Sequence, residues 1–383
     1  MAPADQDMAG VLQRDRPEYN PRQLRIGGTF WSPSVTTALS YDDNVFASGK
    51  APRSDVVAQI HPELVGASDW GRHSAKLQLD ADVYRYKQYS SQDRVDLTGR
   101  FDGVLDVRHN ANIATEITVA RASEQRGIDD SIRAFDKPVR YSSLNAAMYG
   151  NVVFGRFYLT LGGRALLSDY QDSKLRGVVF DQDYRDGLAL TGTARLGYEL
   201  TRLTSAYVEY SPNTRHYRGP YDSTGQRVVA GLAFTSSRLI SGRAYAGYFS
   251  QDFRATALKD VAGMTFGANL QWTPTPLITV TLLADRDADQ SNVDGSSVVT
   301  SLGVTADYEL RRNLVVSASY THRTEHYVAN GDDDVADSYG LGAQYYINRN
   351  LSLSADYDLS TVRSDSVADY HRNLVSIGLT AQF

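Results

Sequence analysis

Leu374-Val-Ser-Ile-Gly-Leu-Thr-Ala-Gln-Phe383 is the last stretch of the sequence. Val375, Ile377, Leu379, Ala381 and Phe383 alternate with Leu374, Ser376, Gly378, Thr380 and Gln382. Period two makes this a strand with one apolar face and one face of mostly small or polar side chains. A terminal strand with a bare edge invites aggregation unless the sheet closes on itself. A half-buried strand of a soluble sandwich alternates in the same way, so the choice falls to the rest of the chain.

The pattern recurs from Ile26 onward. Val56, Ala58, Ile60, Pro62 and Leu64 share one face, as do Ala75, Leu77, Leu79, Ala81 and Val83. Val95, Leu97, Phe101, Leu105 and Val107 oppose Arg94, Asp96, Arg100, Asp102, Asp106 and Arg108. Leu188, Leu190, Ala194, Leu196, Tyr198 and Leu200 repeat the arrangement, followed by Leu302 to Leu310 and Leu351 to Leu359. Each up-and-down unit takes roughly 40 residues, too long for a soluble hairpin but suited to tilted strands with projecting loops. Short turns at 69–72, 109–112, 154–156, 201–202, 273–276, 311–313 and 348–350 are expected to alternate with longer loops. The loops fall at about 43–53, 124–138, 170–185, 252–259, 287–295, 329–336 and 364–370.

This spacing predicts an all-β fold: a closed antiparallel transmembrane β-barrel over 25–383 with about 18 strands, within a range of about 16–20. An even number returns both termini to the short-turn side, the periplasmic side of an outer-membrane barrel. Residues 1–24, polar and Pro-punctuated, read as a periplasmic arm or a segment entering the lumen. The stretches 139–153 and 204–218 alternate weakly. Pro33, Pro62 and Pro212 fall inside strands and predict bulges or bends, since each removes a ladder donor.

Composition agrees. There is no Cys, which excludes disulfides, zinc–thiolate sites and thiol nucleophiles. Net charge is -6, which argues against a nucleic-acid groove. No apolar run approaches the length of a transmembrane helix. Mean hydropathy is that of a soluble protein, as it is for membrane barrels, where only alternate residues meet lipid. Met1-Ala-Pro-Ala is followed by Asp-Gln-Asp, so no signal peptide is read; a mature chain with an added Met fits this start.

Three features favour the barrel over a soluble β-protein. The strands exceed the 5–6 residues or so usual in sandwiches. Their polar faces are densely charged, as a wet lumen requires. Tyr reaches 25 residues against 12 Phe and 3 Trp, and clusters at Tyr84, Tyr86 and Tyr89, at Tyr207, Tyr210 and Tyr217, and at Tyr339, Tyr345 and Tyr346. Those positions are expected to form interfacial girdles.

Several stretches resemble the beta-barrel porin 2 family of outer-membrane barrels: Arg16-Pro-Glu-Tyr-Asn-Pro21, Tyr41-Asp-Asp-Asn-Val-Phe46, Ser68-Asp-Trp-Gly-Arg-His73 and, less specifically, Trp272 to Val280. The resemblance runs from about residue 16 to the end. It implies residence in the bacterial outer membrane and a role in export of a surface polysaccharide, or else a general pore for small hydrophilic solutes. The partners implied are outer-membrane lipids, the barrel assembly machinery and a periplasmic polysaccharide-export protein. Phe383, an aromatic final residue, resembles the signal that this machinery reads.

No nucleotide or metalloprotease motif is present, and no catalytic residue, cofactor or metal is expected. His322 and His326 share a strand face roughly 13 Å apart, too far to hold one metal together, and read as rim residues. Asp42-Asp43-Asn44 and Asp332-Asp333-Asp334 offer oxygens but match no calcium loop. Function then rests on lumen residues. The candidates are Lys76, Asp80, Asp82, Arg94, Asp96, Arg100, Asp102, Asp356 and Asp358. Opposed Arg and Asp rows would set up a transverse field, whereas inward Tyr rings would offer sugar-stacking platforms.

Overall fold

The computed structural model describes residues 10–124, 126–127, 135–234, 239–289, 296–365 and 368–383. A short β1 (Leu24–Ile26) turns into β2 (Thr29–Asp42), followed by β3 (Asp55–Ser68), β4 (Ser74–Tyr86), β5 (Arg94–Arg108), β6 (Ala111–Ser123), β7 (Arg140–Phe154) and β8 (Phe157–Tyr170). A loop hairpin, β9 (Ser173–Leu175) and β10 (Val178–Phe180), precedes β11 (Gly187–Glu199), β12 (Thr204–Tyr217), β13 (Ser223–Phe234) and β14 (Ile240–Phe253). The chain ends through β15 (Val261–Thr275), β16 (Ile278–Asp289), β17 (Ser297–Arg311), β18 (Leu314–Tyr327), β19 (Asp333–Tyr346), β20 (Leu351–Ser364) and β21 (Tyr370–Gln382).

Apart from β1, β9 and β10, the strands form one antiparallel ring of 18, each pairing with its sequence neighbours. The ring closes where β2 meets β21, from Ser34↔Gln382 to Asp42↔Leu374. Along this seam Thr36 and Thr380 hydroxyls lie 2.8 Å apart inside the barrel, as do Ser40 and Ser376. The edge that would have endangered a terminal strand is thus paired. Phe383 lies just beyond β21, its N–H donating to the Pro33 carbonyl at 3.1 Å.

Side chains segregate as the alternation requires. The outward face carries a belt of exposed apolar residues, Leu39, Met264, Leu341 and Ile377 among them, with Met264 65% and Ile377 64% exposed. Such a belt is untenable in water and is what lipid demands. At the short-turn end it finishes in aromatic residues: Trp70, Phe154, Phe157, Trp272, Tyr308 and Tyr345. Phe157 packs on Tyr198 at 4.9 Å and on Phe154 at 5.9 Å. With all 18 ring strands paired on both sides, the ladder leaves no open sheet edge toward lipid among the described residues.

The weakly alternating stretches 139–153 and 204–218 are full strands, β7 and β12. The bulges expected at the prolines do not occur. Pairing skips around Pro62 on the β4 side and Pro212 on the β11 side, but the register is the same before and after. Each proline simply omits its donor toward one neighbour while pairing with the other, as Pro62↔Val35 and Pro212↔Gln226 show. Register shifts fall at short-turn ends instead, between Asp106 and Arg108, Trp272 and Thr275, and Glu309 and Arg311.

Candidate functional site: the lumen and its two charged walls

The nine lumen candidates occupy one arc. Arg94 and Asp358 line a recess inside the long-loop end with Tyr84, Tyr86 and Arg372. Strand parity then puts Lys76, Asp80 and Asp82 of β4, Asp96, Arg100 and Asp102 of β5, and Asp356 of β20 on the same inner surface. His61 and Gln59 of β3 both bond Asp82, at 3.0 and 2.8 Å. Arg94 meets Asp96 at 3.3 Å. β20, β21 and β2–β5 are consecutive in the ring, so this arc is a single wall rich in carboxylates.

The opposing row was not legible as a set. About half-way round the ring, Arg164 of β8, Arg195 of β11, Arg227 of β13 and Arg243 of β14 line a second recess with Tyr149, Tyr207 and Tyr245. Glu209 of β12, only 5% exposed, anchors the row. It accepts from Arg195 Nε at 2.7 Å, from Arg227 at 3.4 Å and from the Ser211 hydroxyl at 3.2 Å. Asp287 takes a second Arg227 nitrogen at 3.1 Å, and Glu116 takes Arg164 at 3.3 Å. A guanidinium stays charged at any physiological pH, so the row keeps four positive charges against the three carboxylates Glu116, Glu209 and Asp287.

Tyrosines under the row are laid flat by glycines on the next strand. A Cβ at Gly231 of β13 would stand 2.6 Å from the Tyr207 ring, and one at Gly267 of β15 would collide with Tyr245. Arg195 lies over Tyr207 with its guanidinium carbon 4.8 Å from the ring centre, and Arg227 over Tyr245 at 5.5 Å. Arg94 covers Tyr84 in the other recess at 3.9 Å, and Arg185 covers Tyr170 at 3.9 Å. These four rings, among those expected as sugar platforms, are therefore capped by cations. The missed signal was spatial: each Arg sits at an inward parity position, but their adjacency exists only once the strands pair.

At the short-turn mouth the chain itself lines part of the opening. Residues 10–22 run round the inner wall from β15 toward β2. Val11, 1% exposed, donates its N–H to Thr279 Oγ1 at 2.8 Å. Arg16 and Arg14 reach Glu309 of β17 at 3.1 and 3.3 Å. Arg16 also lies over Tyr346 at 5.4 Å, and Gln382 donates to the Tyr19 carbonyl at 3.4 Å.

Loops fold over the other end. Phe46 packs edge-on against Tyr89 at 5.1 Å, Gln92 donates to the Asp136 carbonyl at 3.1 Å, and Arg126 donates to Gln92 at 3.1 Å. Burial pulls the Arg126 guanidinium down to about 10 against the opposing pull of Asp136. Asp136 is itself held below the usual carboxylate range by the N–H groups of Gly177 and Arg176 in the β9–β10 turn. Residues 1–9 of the expected arm, and 125, 128–134, 290–295 and 366–367 of the expected loops, lie outside the described residues.

Other sequence expectations are relocated. Tyr84, Tyr86, Tyr207, Tyr217 and Tyr346 face inward by parity and Tyr89 lies in a loop against Phe46, which leaves Tyr210, Tyr339 and Tyr345 on the outer face. Clustering near strand ends did not separate the two faces. His322 and His326 point outward near the long-loop end, where His322 meets Asp337 at 2.9 Å and His326 meets Asp333 at 2.8 Å. Asp42 is a lock for Arg372 across the seam, at 3.1 Å through Nε, not an open oxygen ligand. Asp43 likewise bonds Asn373.

An 18-strand barrel with a lipid-facing belt and a charged lumen defines an outer-membrane porin. Residues 16–383 match the family described as "Putative beta-barrel porin 2", and the chain belongs to that family. Solved structures similar in fold include OccK1 (OpdK) of Pseudomonas aeruginosa, at 13% identity and TM-score 0.48 over 92% of this chain and 99% of that one. Another is OccAB4 of Acinetobacter baumannii, at 11% identity and TM-score 0.48 over 94% and 99%. A 115-residue stretch is 30% identical to part of the DNA polymerase IV of Leptospira interrogans, covering 30% of this chain and 31% of that one. This chain thus matches about a third of that curated relative's length.

Proposed function

We propose that this porin is a passive channel for small hydrophilic solutes, set with its short turns and both chain ends on the periplasmic side. The observation that carries the reading is the pair of opposed charged walls facing one lumen. A transverse field of that kind orients small polar or charged solutes and rejects apolar ones. Barrels of this strand number enclose an aqueous channel instead of a side-chain-filled core.

The conduit for a surface polysaccharide, implied by the family resemblance, has less behind it. A sugar polymer needs open aromatic faces in sequence along its path. Here guanidiniums lie over the inward rings of Tyr84, Tyr207 and Tyr245. The diffusion channel requires no periplasmic export partner. It does require outer-membrane lipid around the belt and insertion by the assembly machinery, with Phe383 as the residue offered to it.

Proteoliposome swelling tests the reading. Purified barrel should admit arabinose and glucose and exclude long maltodextrins, with rates falling smoothly as solute size rises. Loss of a surface polysaccharide in a deletion strain whose nutrient uptake is normal would favour the conduit instead.

A further inference from the structure

We propose that the arginine wall is a binding site for small carboxylate-bearing solutes, with Arg243 as its primary contact. This deepens the channel reading and rests on it for access to the lumen.

Three of the four guanidiniums in the row are already matched. Arg195 and Arg227 share Glu209, Arg227 also holds Asp287, and Arg164 holds Glu116. Arg243 has no carboxylate within ion-pair distance among the described residues, yet it lines the same recess. It is exposed and faces the lumen beside Tyr245, two positions along β14. Its planar fork can present two parallel N–H donors, the geometry that fits a carboxylate and that an ammonium lacks.

The surroundings leave that fork as the charge in excess. Four guanidiniums meet three ion-pair carboxylates, Glu116, Glu209 and Asp287, none of which reaches Arg243. Glu209 is saturated by Arg195, Arg227 and Ser211, which leaves it little capacity to capture Arg243. Tyr207 and Tyr245, held flat by Gly231 and Gly267, supply a firm polar-edged floor. Because the rest of the lumen is rich in carboxylates, the arginine wall is where an anion can dwell while crossing.

The full chain in detergent would be titrated with succinate at low ionic strength, with its melting temperature followed against sodium chloride of equal ionic strength. Succinate should raise the transition beyond chloride. Arg243→Gln should weaken its apparent affinity about tenfold. Arg243→Lys, which keeps the charge and loses the fork, should recover only part of that loss. Arg363→Gln, on the outer face, controls for loss of any arginine and should leave the affinity unchanged. Heat-modifiable gel migration reports whether each variant is folded.

Stabilisation by phosphate but not by succinate would overturn the carboxylate assignment. No succinate effect beyond chloride, or an equal loss in Arg363→Gln, would overturn the site. Bilayer conductance separates the two ideas: current without succinate binding defeats this inference alone, and succinate binding without current defeats the channel reading.

Discussion

Arg16 places its guanidinium 3.1 Å from the carboxylate of Glu309, 293 residues further along the chain. Both side chains are nearly buried, 4% and 2% exposed, and Arg14 approaches the same carboxylate at 3.3 Å. A segment that precedes every barrel strand is thereby held to the inner wall of the short-turn mouth. Removing one partner of a buried ion pair leaves the other uncompensated and costs about 3–5 kcal/mol.

Glu309→Gln should therefore release residues 10–22 from the mouth without opening the sheet. Trypsin should then cut after Arg14 in the folded barrel, the Arg16–Pro17 bond being resistant to it, and single-channel conductance should rise. Unchanged protection at Arg14 would mean that other contacts, such as Val11 to Thr279, suffice to hold the segment.

The outer belt predicts an asymmetry between faces. Ile377→Arg puts a charge in lipid near the middle of β21 and should cost about 2–4 kcal/mol, read as a lower unfolding midpoint in lipid vesicles. Ser376→Arg, one residue earlier and facing the lumen, should spare the midpoint and alter conductance. Equal destabilisation by the two would mean that the faces are misassigned.

Gly231→Val tests the packing beneath the arginine row. The new side chain must displace Tyr207 and press on the Ala244 carbonyl, whose oxygen would lie 2.6 Å from its Cβ. Overpacking of this kind costs about 1–3 kcal/mol. Because Arg195 rests on that ring, the variant should also change ion selectivity. A stable barrel with unaltered selectivity would show that the ring does not position the cation.

Asp136 gives the long-loop end a pH dependence. Its carboxylate is held below its ordinary pKa by the Gly177 and Arg176 N–H groups. A depressed pKa stabilises the docked loop above the ordinary carboxylate range, near pH 4, and that contribution is lost as pH falls through the folded value. Protection of the Arg176 and Gly177 amides, taken relative to their intrinsic exchange rates, should fall on acidification below about pH 4. Asp136→Asn should show the lowered protection already at pH 7.

The barrel was legible because period two is a local property. Leu302, Val304, Ala306, Tyr308 and Leu310 declare a face without knowledge of their neighbours. β7 and β12 were blurred because their inward faces carry Tyr149 and Tyr207, which look apolar in a one-dimensional pattern. The carboxylate wall could be seen in part because Arg94, Asp96, Arg100 and Asp102 lie on one strand. The arginine wall could not, since its members come singly from four strands and become a row only through pairing. Docking of residues 10–22 was hidden for the same reason: Glu309 is remote in sequence and nothing local marks it as their partner.

The central claim is that solutes pass through the lumen between the two walls. The chain has no cysteine, so a single introduced thiol reports its own surroundings. Thr193→Cys faces the lumen in the arginine recess, and Ala194→Cys, one residue later on β11, faces lipid. A charged, water-soluble methanethiosulfonate reagent added during planar-bilayer recording should step down the current through Thr193→Cys and leave Ala194→Cys unaffected. Current that is indifferent to modification at Thr193, or blocked equally at both positions, would contradict the account.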